Sequence, residues 1–198
     1  MNLHEFSISL WIKASSAVKH DVWSDVLSNS NGFSISISSS NQSSANSVKI
    51  KFCVFLSINV SVSENCAISS DLPIRNVWTH IFVGVNGAFG RTVLIVNNVD
   101  TFEAFRDVSV FSANFNPSSI VLGQKSSITG ADVYPYDGLI DNIRVFSVFV
   151  SPNLVSEMYN RSFSAYPPAN MIMSLTFDDD VGRDEVSGQI ISIQKLPF

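Results

Sequence analysis

The alternation in Phe6-Ser-Ile-Ser-Leu-Trp-Ile12, repeated in shorter form by Phe33-Ser-Ile-Ser-Ile37, limits what this chain can fold into more than any other feature. Successive side chains of an extended strand point to opposite faces, so a period of two buries one face of a sheet and leaves small polar groups on the other. A helix cannot use that spacing, because its apolar stripe recurs every three to four residues. The rest of the chain is of the same material. Phe (15 residues), Val, Ile and Ser dominate while Ala and Leu are scarce, a strand-former composition with little to build helices from.

Further strands follow from the same reading. Val22–Ser28 is a shorter strand, and the Asn31-Gly32 turn joins it to Phe33–Ile37 as a hairpin. Val48–Ile58 is a long β segment, whereas Ser61–Ser70 reads as polar and irregular. Val77–Val85 and Arg91–Val96 form the strongest hairpin, around Asn86-Gly87 and Gly90. Gly84, Gly87 and Gly90 open no helix, so they read as turn glycines and not as a phosphate loop. Ser119–Leu122 is a short strand closed by Gly123, Gly130–Tyr136 a loop, and Leu139–Val150 a long core strand. Ser38–Ser47 is low-complexity Ser, Asn and Gln with nothing to bury, and reads as a mobile loop. Ser151-Pro152 is a good N-cap followed by a residue suited to the first helical turn, which predicts a helix over 152–160 with Leu154, Val155 and Met158 on its apolar side. Arg161–Asn170 is a linker, and Met171–Phe177 and Gln189–Ile193 are two more strands. The whole is an all-β sandwich.

Length and charge narrow the function. The 198 residues make one domain, or one domain with a short extension. A net charge of −5 with no Lys/Arg block disfavours nucleic acid and anionic membrane as partners. No apolar run approaches the ~20 residues a membrane-spanning helix needs, and no signal peptide precedes the first strand. Met1 stands almost directly before that strand, which suggests a piece of a longer protein; the alternative is a cytoplasmic protein beginning at its own Met1. Charged residues are only 15% of the chain, so Ser and Asn carry most of the surface polarity. Cys53 and Cys66 are open to two readings, a disulfide between neighbouring strands or two buried thiols. The N-x-S/T sequons at Asn41, Asn59 and Asn160 give weak support for secretion.

Several segments resemble laminin-G-like domains of the concanavalin A-like lectin and glucanase group, in the family's order: Phe6–Lys13, Trp78-Thr-His-Ile-Phe-Val-Gly-Val-Asn-Gly87, Leu94–Asn98, Ile120–Gln124 and Tyr136-Asp-Gly-Leu-Ile-Asp-Asn-Ile-Arg-Val145. Ile120–Gln124 and the Ser151-Pro152 helix start are similar to pentraxins in particular. The resemblance implies a jelly-roll β-sandwich of two antiparallel sheets spanning residues 1–160, and members that bind glycans, proteins or phospholipid head groups, often with calcium. Leu175–Gly182 with Asp184–Gly188 looks like the family's opening motif, here placed last. Residues 171–198 therefore either complete this sandwich or begin a truncated second domain after the 161–170 linker.

The resemblance brings candidate residues but little catalysis. Glycosidases of this fold pair two carboxylates across a cleft, and none of Glu5, Glu64, Glu103, Glu157 and Glu185 is spaced for that. His4, His20 and His80 show no metal spacing, and His80 matches a histidine that is structural in the family. Calcium needs hard oxygen ligands; if the C-terminal segment docks here, Asp137 and Asp141 could meet Asp178, Asp180 and Asp184 around one structural ion, and the alternative is a solvated acidic turn with no ion. The pentraxin calcium site does not carry over, since Lys125 follows Gln124 where ligands should stand. The pentraxin disulfide positions fall at Leu10 and Phe82. Trp11 and Trp78 read as packing residues of core strands. Trp23, Asp132, Tyr134 and Tyr136, near loops, are the candidate sugar contacts. The expectation is a non-catalytic extracellular or surface module that recognises a glycan or glycoprotein. The alternatives are a structural spacer contacting other domains of its parent protein and, last, a glycoside hydrolase.

Overall fold

The computed structural model describes residues 2–3, 5–15, 22–29, 32–39, 47–58, 61–106, 113–114, 120–123, 136–160, 169–177, 182–184 and 190–191. Among these, the strands in chain order are β1 (Asn2–Leu3), β2 (Glu5–Ala14), β3 (Ser24–Asn29), β4 (Phe33–Ser38), β5 (Lys49–Ile58), β6 (Ser61–Ile68), β7 (Thr79–Asn86), β8 (Arg91–Val96), β9 (Asp100–Phe105), β10 (Ala113–Asn114), β11 (Ile120–Leu122), β12 (Gly138–Phe146), β13 (Met171–Thr176), β14 (Gly182–Asp184) and β15 (Ile190–Ile191), with one helix, α1 (Pro152–Asn160). They form two antiparallel sheets. One has seven strands in the order β1-β10-β5-β4-β3-β11, with β6 also on β5. The other has eight, in the order β15-β14-β13-β12-β2-β7-β8-β9.

The alternation does what period two requires. Phe6, Ile8, Leu10 and Ile12 of β2 are fully buried against Phe33, Ile35 and Ile37 of β4 and Ile50, Phe52 and Val54 of β5. Phe6, Phe33 and Phe52 meet at its centre, with ring centroids 5.7–6.5 Å apart. Each such side chain contributes about 1.5–3 kcal/mol of transfer free energy on burial.

A second, smaller core lies on the opposite face of the eight-stranded sheet. Phe82, Val93, Ile95, Phe146 and Met171 are covered there by Val150, Val155 and Met158, so α1 packs on the outside of this sheet. Two small residues let the covering chain come close. The Ser7 hydroxyl donates to the Val148 carbonyl at 3.0 Å and accepts from the Val150 amide at 2.9 Å. At Gly84 a Cβ would stand 2.8 Å from the Phe149 ring, so this glycine is a packing position and not a turn. Gly90, at φ 58°, closes the turn after Gly87–Phe89.

Several expectations change. Ser61–Ile68 is a regular strand paired along its length with β5; its buried Asn65 is satisfied across the sandwich by donating to the Thr92 hydroxyl at 2.9 Å. The unforeseen β9 extends the eight-stranded sheet. The long strand from residue 139 leaves the sheet after Phe146. Leu154 is 46% exposed, while Val155 and Met158 are buried. Leu10 and Phe82 lie on adjacent strands but face opposite sides of the sheet, one in each core, so no bridge could join those positions. Met171–Thr176 pairs with β12. Cys53 and Cys66 stand directly opposite each other on β5 and β6 and are joined in a disulfide. The Ser38–Ser47 loop falls largely, and the Arg161–Asn170 linker almost wholly, outside the described residues.

Candidate functional site

The seven-stranded sheet carries a polar outer face. On β4, Phe33, Ile35 and Ile37 turn inward, which leaves Ser34, Ser36 and Ser38 outward. Register extends this parity across the sheet. Asp25, Ser36, Lys51 and Ile68 form one row, and Val121, Ser28, Ser34, Cys53 and Cys66 the next. A bulge in β3 after Asp25 lets Val26 and Leu27 both enter the core while Asp25 and Ser28 stay on the outer face.

Asp25 is only 5% exposed, although it points away from the core. A buried carboxylate is costly unless hydrogen-bonded, and the Ser36 hydroxyl donates to its Oδ1 at 2.6 Å. Beside this pair, the Lys51 ammonium lies 4.5 Å from the centroid of the half-buried Trp23 ring. A cation over an indole face is attracted by the ring's quadrupole. An indole, an ammonium, a carboxylate and hydroxyls thus meet on one side of the sheet, where Trp23 and Lys51 are half-buried and Asp25, Ser28, Ser34 and Ser36 are buried. At its margin Lys49 pairs with Asp71 at 4.0 Å and Arg75 donates to the Ser39 hydroxyl at 2.6 Å.

Of the expected sugar contacts, Trp23 alone lies on this face. Asp132 and Tyr134 fall outside the described residues. Tyr136 packs against the main core and donates to the Leu139 carbonyl at 3.2 Å. A Cβ on Gly138 would collide with the Tyr136 hydroxyl and the Lys13 carbonyl, so Gly138 makes room for this ring. Burial, and then the charge of Asp137, push the Tyr136 hydroxyl above its ordinary pKa.

Two of the expected calcium ligands have local partners. Asp137 accepts from the Ser15 hydroxyl at 2.6 Å, and Asp141 from the amide and side chain of Asn142 at 2.7 and 3.1 Å. Asp184 is on β14, opposite Leu175, with β13 between it and β12, and Asp178 and Asp180 lie outside the described residues. Among the described residues the one group close enough to share a metal is Cys53, Glu64 and Cys66, and its sulfurs are already bonded to each other.

The family's aromatic residues stand elsewhere than expected. Trp78 precedes β7 and is 42% exposed. Trp11 packs, but outside the sandwich: its ring stacks on Tyr159 of α1 at 5.7 Å and lies 5.2 Å from the His80 ring. His80 is fully buried and shares a 2.8 Å hydrogen bond through Nε2 with the Ser9 hydroxyl, while Nδ1 has no partner. Burial, with the nearby Arg144 charge, lowers its pKa to about 4, so it is neutral at pH 7.

Asp25 and Lys51 were not singled out from sequence. Each carries a local cue: Asp25 is two residues from Trp23, and Lys51 alternates with Ile50 and Phe52. Their convergence depends on the register of β3, β4 and β5.

A two-sheet sandwich with such a face defines a lectin-like β-sandwich. The chain belongs to the concanavalin A-like lectin/glucanases superfamily, whose family model matches residues 1–156. No curated protein matches the chain. Among solved structures it is similar to a candidate carbohydrate binding protein from Bacteroides ovatus (TM-score 0.63, 12% identity), covering 98% of this chain and 55% of that one. It is also similar to the heptameric SAP-like pentraxin of Limulus polyphemus (0.57, 15% identity, 96% of this chain and 82% of that one). A third is the CBM40 of Ruminococcus gnavus IT-sialidase, bound to α2,3-sialyllactose (0.58, 14% identity, 80% and 84%). At these identities the likeness is one of fold. Among the described residues no helix is long and apolar enough to cross a membrane.

Proposed function

We propose that this chain is a non-catalytic carbohydrate-recognition module, and that its ligand surface is the outer face of the seven-stranded sheet around Trp23 and Lys51. The observation that carries this reading is the Lys51–Trp23 contact beside the buried Asp25–Ser36 pair. A pyranose presents an apolar face and a rim of hydroxyls. The indole suits the first and the Lys51 ammonium the second, with the buried Asp25–Ser36 pair beside them. Sugar binding by the Ruminococcus neighbour supports the same class of ligand.

Two further features support the details. The four described glutamates, Glu5, Glu64, Glu103 and Glu157, are spread over β2, β6, β9 and α1, which favours binding over hydrolysis. The Cys53–Cys66 disulfide favours an oxidising compartment, and hence an extracellular or cell-surface setting.

A glycan array probed in calcium and again in chelator tests the proposal. Binding in both buffers that is lost in Trp23→Ala supports it. A calcium-dependent hit would point instead to a bound ion, to be located by substituting Asp137, Asp141, Asp178, Asp180 and Asp184 in turn. No hit in either buffer would overturn it.

A further inference from the structure

The outer face of the eight-stranded sheet is divided. α1 covers the half built on Phe82, Val93, Ile95 and Phe146. The other half carries aromatic side chains that α1 meets only at its end, where Tyr159 stacks on Trp11 with an interplanar angle of 16°. Here Trp11 faces His80 on one side and Asp141 on the other, and Lys13 faces Leu139. Thr79 is opposite Ile12, so Trp78 stands at the level of Lys13. Trp78 is 42% exposed, Leu139 56% and Tyr159 36%. Large apolar groups left exposed together mark a contact surface more often than chance.

We infer that this Trp78–Trp11–Tyr159 surface is a second sugar-contacting site, on the opposite side of the sandwich from Trp23. The chemistry selects the occupant. A flat protein partner would have to strip water from Lys13 and Asp141, which interrupt the apolar area, and charges so buried are costly when unpaired. A sugar ring covers one indole and offers hydroxyls to both charged groups. The inference takes its ligand class from the proposal above, but not the location of the site. With a ligand surface on each side, one chain would bridge two glycan strands or grip one polymer twice, adding avidity without tighter single contacts.

The three tryptophans give three indole N–H signals in an NMR spectrum, assignable with Trp→Phe variants. The whole chain is titrated with cellotetraose, an alginate tetramer and α2,3-sialyllactose. Any polymer bound by the wild type is then used to compare it with Trp78→Ala. The inference predicts that the Trp78 signal moves with at least one of these sugars, and that Trp78→Ala weakens polymer binding by about tenfold or more while leaving the Trp23 response intact. A Trp78 response with Trp23 silent supports this surface and counts against the Trp23 face. A Trp23 response with Trp78 silent overturns the second site and leaves the first standing. Silence from both overturns both.

Discussion

Single positions on the outer face of the eight-stranded sheet carry more of this fold than their size suggests. At Gly84 the Phe149 ring occupies the space a side chain would need. Gly84→Ala is therefore expected to destabilise by about 1–3 kcal/mol through overpacking, read as a lower urea midpoint with an unchanged slope. His80 gives a pH signature. Its folded pKa of about 4 lies below the ordinary 6.5, so between these values the unfolded chain binds the extra proton. Stability is complete above pH 6.5 and is lost as pH falls, by on the order of 3 kcal/mol at and below pH 4. Among the described residues, the groups around it, Ser9, Arg144, Trp11 and Tyr159, include no anion to hold that proton. In His80→Gln the fall in stability between pH 6.5 and 4 should be flatter than in the wild type; equal slopes would show that other groups set the acid response.

At the scale of elements, strands with one apolar face were legible in sequence and strands without one were not. β2, β4, β7 and β8 announce themselves by parity. β6 does not, because Asn65 takes an inward position and finds its partner on the other sheet, a compensation no local pattern records. β9 is hidden for a related reason: its residues are half-buried or exposed throughout, so Asp100–Phe105 has little apolar face to show. The site divides in the same way. Trp23 could be picked as an aromatic near a loop, but Asp25, Ser36 and Lys51 become one surface only through pairing across β3, β4 and β5. β6 also depends on its covalent link. Replacing both Cys53 and Cys66 by Ser is expected to cost about 2–4 kcal/mol, measured by thermal denaturation, with the loss centred on β5 and β6 in hydrogen exchange.

For the whole molecule, the C-terminal strand is the informative part. Met173 and Leu175 of β13 belong to the main core, and β13 covers the edge of β12. A chain ending at residue 160 would expose that edge and open the core, so it should aggregate or melt markedly lower than the full chain. A truncated chain of unchanged Tm would show that 171–198 is dispensable to the sandwich. The central claim is that the seven-stranded face around Trp23 and Lys51 binds carbohydrate, and Lys51→Met tests it by removing the charge while keeping the length of the side chain. Calorimetric titration of the strongest array glycan into wild type and Lys51→Met should show affinity falling by about tenfold or more, as expected for losing a charged hydrogen-bond donor, with Tm compared to verify folding. Equal affinity in a folded Lys51→Met protein, together with an intact response in Trp23→Ala, would contradict the account.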